Sequence, residues 1–259
     1  MNNQTVLITG ASNGIGKELA YHFAKDKYSL ILVARSEDKL EMLAAELREK
    51  YAVEVIVKAK DISQEAAIHQ LAQELKDDDV KVDVLVNNAG YGLYGDFVET
   101  DINDELGMID LNVRSLTLLS KLFLPGMLER DRGGILNVAS VAAFMPGPFM
   151  AVYYATKAYV LSFSEALANE VKGTNVTVSA LCPGPTETGF GDRADIGKSK
   201  LFDGSLSSAA SVAQVAYQEF KKGKVIVVPG MQNKFLTKLI RFLPRKAVTD
   251  IVRSVQAKK

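Results

Sequence analysis

The chain has 259 residues, 47% of them hydrophobic, enough to bury one large core or two small ones. Its 31 basic and 31 acidic residues leave a formal net charge of zero, which argues against nucleic acid as the main partner. The single cysteine, Cys182, permits no intrachain disulfide and favours a reducing compartment, so a cytoplasmic setting is expected.

Thr5 to Thr9 is a short apolar, β-branched run of the kind that forms a buried strand. Gly10-Ala11-Ser12-Asn13-Gly14-Ile15-Gly16 follows directly and runs into a helical pattern over 14–26. Strand, glycine turn and helix are the context of a dinucleotide site. Glycines let the backbone turn tightly and approach a pyrophosphate, which sits against the helix N-terminus. The spacing is G-x-x-x-G-x-G rather than G-x-G-x-x-G, and a strand-to-helix turn can need glycines with no ligand at all.

The second strand pattern, 29–33, runs into Ala34-Arg35-Ser36. A NAD-binding chain usually has an acid at this point to bond the ribose 2′-hydroxyl, whereas a guanidinium pairs with a phosphate. NADP(H) is therefore expected over NAD(H), with Ser12 adding a hydroxyl to the same phosphate; otherwise Arg35 caps the strand or points to solvent.

Further strand patterns at 53–58, 82–87, 134–139, 175–181 and 224–228 alternate with helical ones at 36–50, 63–76, 99–110, 113–130, 151–171 and 210–222. The alternation predicts an α/β fold: a Rossmann-like, doubly wound parallel sheet of about seven strands with helices on both faces. Residues 1–230 read as one dinucleotide-binding catalytic domain, since no linker-like stretch interrupts them. Ligands in such sheets bind outside the carboxyl ends of the strands. Gly10, Arg35, Asp61, Asn88, Ser140 and Pro183 follow the first six in turn. The uncharged stretch from Gly133 to Thr156 has the length of a membrane span, but its glycines and prolines divide it into strand, loop and helix start. His22 and His69 are far apart and without partners, so no metal site is expected.

Tyr153 and Lys157, four apart in a helical pattern, share a face and can present a phenol and an ammonium to one point. A phenol titrates near ~10 in water, and a nearby cation stabilises its phenolate. Ser140 would supply a donor for a substrate oxygen. Tyr154 lacks a lysine four residues on, where Ala158 stands, and reads as a bystander.

Together these residues resemble the short-chain dehydrogenase/reductase family in its compact single-domain form, over about residues 5 to 230. Thr9 to Gly16 looks like its cofactor turn, Asp61-Ile62 its adenine-side acid, and Asn87-Asn88-Ala89-Gly90 its segment after the fourth strand. Pro183-Gly184-Pro185-Thr186-Glu187-Thr188 is similar to its Pro-Gly-x-x-x-Thr beside the nicotinamide. Asn112, Ser140, Tyr153 and Lys157 fall where the family keeps its catalytic four. The resemblance implies hydride transfer between NADP(H) and a carbonyl or secondary alcohol. Tyr153 would be the general acid, Ser140 would hold the carbonyl oxygen, and Lys157 would bind the nicotinamide ribose and lower the Tyr153 pKa. Asn112 would help a water chain resupply protons. A non-catalytic nucleotide sensor, and an epimerase or dehydratase on the same fold, are the rival readings.

Val141 to Met150 places apolar groups beside Ser140, with Tyr91 and Leu93 near the same strand ends. They suggest a lipophilic small-molecule substrate, although Phe144 and Phe149 could equally be ordinary core. Thr188 to Ser208 is the place for a mobile lid. Residues 231–259 hold eight basic residues and one acid, a charge of +7 against −7 for the rest. Phe235, Leu236, Leu239, Ile240, Phe242 and Leu243 recur there at helical spacing among Lys234, Lys238 and Arg241. This basic amphipathic extension is expected to pack on its own domain or a second subunit, in a homodimer or homotetramer. A membrane surface is the less favoured partner.

Overall fold

In the computed structural model, residues 4–189 and 206–257 are described. Six strands alternate with helices: β1 (Thr5–Thr9), β2 (Ser29–Ala34), β3 (Val55–Ala59), β4 (Val84–Asn87), β5 (Gly133–Val138) and β6 (Val176–Leu181). A seventh strand of the same sheet is Ile226–Val227, and Thr186–Glu187 pairs with Ser207–Ser208 in a separate ladder. In chain order the last three are β7 (Thr186–Glu187), β8 (Ser207–Ser208) and β9 (Ile226–Val227). The main sheet is wholly parallel in the order β3-β2-β1-β4-β5-β6-β9. This is the expected seven-stranded, doubly wound sheet. Its strand order reverses between β1 and β4, opening a crevice at their carboxyl ends.

Side chains alternate across the strands, so both faces are apolar and must be covered. Val6, Ile8, Leu30 and Leu32 pack with Leu19, Phe23, Leu40, Leu47 and Phe220. Those partners lie on α1 (Gly14–Lys25), α2 (Glu37–Tyr51) and α7 (Ala209–Lys221). Leu7, Ile31 and Val33 pack instead with Ile68, Leu71, Leu75, Leu119 and Met127. These lie on α3 (Glu65–Asp77) and α5 (Leu116–Glu129). The long α6 (Ala151–Glu170) packs beside β6 and carries Tyr153 and Lys157.

Several expected boundaries move, each for a local reason. β3 starts at Val55 rather than 53 because α2 continues to Tyr51 and Ala52 closes it in the left-handed conformation, φ 51°. β4 starts at Val84 rather than 82 because Asp83, almost fully buried, bonds the Thr5 N–H, Arg130 and Arg132 at the amino ends of the strands. β9 covers only 226–227 of the expected 224–228, since the preceding turn uses Lys224 N–H and Pro229 lacks a donor. The first of the two middle helices is α4 (Ile102–Ile109), starting not at 99 but at Ile102, after Asp101, whose carboxylate caps Asn103 N–H. A π-turn, Asp110–Ser115, joins it to α5 without a break.

After β9 the chain forms α8 (Met231–Leu239), a 3₁₀ turn (Ile240–Phe242) and α9 (Arg245–Gln256). Pro244 separates the two helices, so the extension is two elements rather than one amphipathic run.

Candidate active site

The first expected residues converge because β1 ends in glycines. Gly10 (φ 63°) and Gly14 (φ 55°) hold left-handed backbone that other residues rarely adopt. A Cβ on Gly16 would lie 2.4 Å from Asn88 Nδ2, so the turn is clamped against the segment after β4. Asn88 Nδ2 donates to Thr9 O (2.9 Å) and Gly10 O (3.1 Å), while Thr9 Oγ1 accepts from Asn88 N and Ala89 N. The N-terminus of α1 has no side-chain cap from Asn13 and no acid in its first turn. Its free N–H groups and positive dipole end are thus available to an anion. The turn has the shape and charge that a pyrophosphate needs.

One cleft of about 660 Å³ runs from this turn across the strand ends. Gly10, Ser12, Asn13, Gly14 and Ile15 line one side, with Arg35, Asp61 and Ile62 at one end. Asn88, Ala89, Gly90, Ser140, Tyr153, Lys157, Pro183, Gly184, Thr186 and Thr188 complete it. Gly16 and Asn112 stand behind the wall. Arg35 is exposed and makes no ion pair among the described residues; the same holds for Lys39, one turn into α2, which lines the same end. Lys39 and Lys60 were not anticipated. Lys60 is held by Glu74 at 2.8 Å. Asp61 accepts from Ser63 N (3.1 Å) and Ser63 Oγ (2.8 Å), which fixes its carboxylate on the turn before α3.

Tyr153, Lys157 and Ser140 meet, all buried. Ser140 Oγ caps the short turn after β5 by accepting from Ala142 N (3.1 Å). Burial pushes the Tyr153 phenol up to about 12, a hydrogen bond with Ser140 pulling the other way. Burial also lowers the Lys157 ammonium to about 8. The expected lowering of Tyr153 by Lys157 is therefore absent. Lys157 Nζ donates to Val138 O at 2.8 Å and lies 5.8 Å from the Tyr153 ring centre, so burial dominates.

Asn112 is held between the loop after β4 and α6. Its Nδ2 donates to Tyr91 O (2.9 Å) and Thr156 Oγ1 (3.1 Å), and its Oδ1 accepts from Tyr91 N (3.1 Å). With both amide protons engaged, the side chain ties the loop after β4 to α6 and does not line the cleft. The π-turn puts it there, a backbone irregularity frequent at functional sites.

The substrate side is narrower than the sequence suggested. Ala142, Met145, Met150, Tyr91 and Tyr154 line the cleft, whereas Leu93, Phe144 and Phe149 do not. Phe144 packs beside Val160 and Cys182. Phe149 packs against Tyr94 and carries the Arg253 guanidinium 5.0 Å over its ring. Tyr154, expected to be idle, lies flat against Gly147 and its hydroxyl meets Gln256 Nε2. Gln256 is fully buried, and its backbone carbonyl accepts from Tyr94 OH at 2.6 Å. Asn233, Leu236, Ile251, Val252, Val255 and Gln256 bring the extension into the cleft wall. Of the expected lid, residues 190–205 lie outside the described part.

A cradle for a dinucleotide, joined to a buried Ser–Tyr–Lys cluster at the switch point of a parallel sheet, defines a nicotinamide-dependent oxidoreductase. The sequence profile of the short chain dehydrogenase family matches residues 4–198. The very-long-chain 3-oxoacyl-CoA reductase of Laccaria bicolor is 38% identical over 179 residues, which is 68% of this chain and 52% of that protein, about half its length. The ketoacyl reductase HetN of Nostoc is 31% identical over 256 residues, 98% of this chain and 88% of its own. Among solved structures, the short-chain dehydrogenase of Sphingobium yanoikuyae in complex with NADPH superposes with a TM-score of 0.82 and 30% identity. That match covers 93% of this chain and 97% of the other. The chain belongs to the short-chain dehydrogenase family and is an oxidoreductase.

Proposed function

We propose that this protein reduces the carbonyl group of a lipophilic substrate with NADPH, and that the substrate is a 3-oxoacyl thioester. The observation that carries the reading is the buried meeting of Ser140, Tyr153 and Lys157 in the same cleft as the glycine turn. The nucleotide is NADP(H), which when bound supplies the hydride. Gly10 to Ile15 and the N-terminus of α1 would hold its pyrophosphate. Ser12, Arg35 and Lys39 would hold the phosphate that distinguishes it from NAD(H).

The protein's own part is the proton. With its phenol pushed up to about 12, Tyr153 is neutral at physiological pH and has a proton to give to the carbonyl oxygen. The Ser140 hydroxyl orients that oxygen. Lys157, at about 8, is still charged at neutral pH and would hold the nicotinamide ribose hydroxyls. Proton transfer by a positioned group is worth typically ~10²–10⁴ in rate. Asn112 acts through Tyr91 and Thr156, as a positioning residue. The thioester assignment draws on the ketoacyl and 3-oxoacyl relatives and on the apolar lining from Ala142, Met145, Met150 and Val252.

The test is NADPH consumption with a panel of 3-oxoacyl thioesters of rising chain length, steroid ketones and short aldehydes. Each buried methylene is worth about 0.8 kcal/mol, so kcat/KM should rise about fourfold per carbon until the apolar wall is filled. Turnover confined to short hydrophilic aldehydes, or a steroid ketone outperforming every thioester, would overturn the substrate assignment.

A further inference from the structure

A surface helix normally turns its apolar stripe to the core. α8 and the turn after it do the opposite. Thr237 is the one buried residue of α8, and Asn233, Thr237 and Ile240 form the side that meets the domain. Met231, Phe235, Leu239 and Phe242 recur along another side and are 79%, 68%, 42% and 85% exposed. A second outward stripe is basic: Lys234, Lys238 and Arg241, continued by Arg245 and Lys246, all exposed. None of these five makes an ion pair among the described residues. The segment thus offers bare aromatic side chains flanked by unneutralised cations, on a chain whose remainder carries −7. The mouth of the cleft opens beside it, since Leu236, Ile251 and Val255 are exposed and also line the cleft.

We propose that this face docks the protein on a membrane surface containing acidic lipid, with the cleft mouth turned to the headgroups. Charge chooses the occupant. Two copies meeting through the same face would oppose basic stripe to basic stripe, whereas an anionic bilayer neutralises the cations and accepts the aromatic rings at its interface. No described helix is long and apolar enough to cross the bilayer, so the contact is interfacial. The docking does not depend on the reaction assigned above; only its use, delivery of a lipophilic substrate to the cleft, rests on that reading.

The test is co-sedimentation of the full chain with vesicles of equal parts phosphatidylcholine and phosphatidylserine, against phosphatidylcholine alone. Binding to the acidic vesicles at low salt, fading as salt rises, is the expected result. Removing two charges with Lys234→Gln and Lys238→Gln should weaken partitioning about 30-fold. Phe235→Ser with Phe242→Ser should weaken it at every salt concentration. All four side chains are exposed and outside the cleft wall, so the variants should keep their melting temperature and their rate on a dispersed substrate. Absence of sedimentation, or unchanged binding by both variants, would overturn the proposal. So would light scattering that finds a dimer broken by the phenylalanine changes, which would make the stripe a contact between copies. Vesicle binding by a protein inactive on every thioester would support the docking and remove only the substrate assignment.

Discussion

Replacing Arg35 by alanine separates the nucleotide assignment from the fold. Arg35 is exposed at the end of the cleft and makes no ion pair among the described residues, so its loss breaks no ion pair among them. Its effect should fall on the nucleotide alone. A charge-assisted contact with a phosphate is worth about 1.5–3 kcal/mol, and exposure to salt places this one at the lower end. The KM for NADPH should therefore rise about tenfold, while the KM for NADH and the melting temperature stay where they were. Lys39 lines the same end, so Arg35→Ala with Lys39→Ala should raise the NADPH value further and make the two nucleotides nearly equivalent. Steady-state kinetics with both nucleotides at a saturating second substrate measure this directly. Equal increases for NADH and NADPH would refute the reasoning, because they would mean that Arg35 shapes the common binding surface rather than the phosphate site.

Tyr153→Phe should abolish turnover with NADPH affinity retained, read by fluorescence titration. Tyr154→Phe should keep most turnover and lower stability by about 1 kcal/mol through the lost contact to Gln256; the reverse pair of phenotypes would reassign the proton donor. Lys157, lowered to about 8, loses its charge above that pH, so kcat/KM for reduction should fall along an alkaline limb that a flat profile would contradict. The same shift has a stability sign. Between about 8 and 10.5 the unfolded chain keeps the Lys157 proton that the folded one has released, so this group's contribution makes the fold more stable as pH rises through that window. Gly147→Ala would put a Cβ 2.2 Å from the Tyr154 ring, a rigid neighbour, and should cost about 1–3 kcal/mol by denaturant titration; an unchanged midpoint would mean that the ring moves freely.

The parts of the site legible in the sequence are those whose geometry is local. Gly10 and Gly14 turn the chain within a few residues of β1, and Tyr153 and Lys157 face one way because four residues make a helical turn. Strand and helix patterns in alternation imply a parallel sheet, whose carboxyl ends must hold the residues that follow each strand. The sequence alone therefore determined the fold class and the strand ends that carry Gly10, Arg35, Asp61, Asn88, Ser140 and Pro183, all of which border the cleft.

Packing between distant segments decided the rest. Gln256 lies 102 residues from the Tyr154 hydroxyl it meets, and no local pattern announces that contact. Lys157 turns to Val138 O because β5 runs beneath α6, and burial then overrides the expected pull on the Tyr153 proton. The extension shows the limit most plainly. Its helical spacing was readable, but which stripe met the domain was not. Periodicity fixes the angles between side chains on one helix, and only the surface it lands on decides that Thr237 goes in while Phe235 and Phe242 stay out.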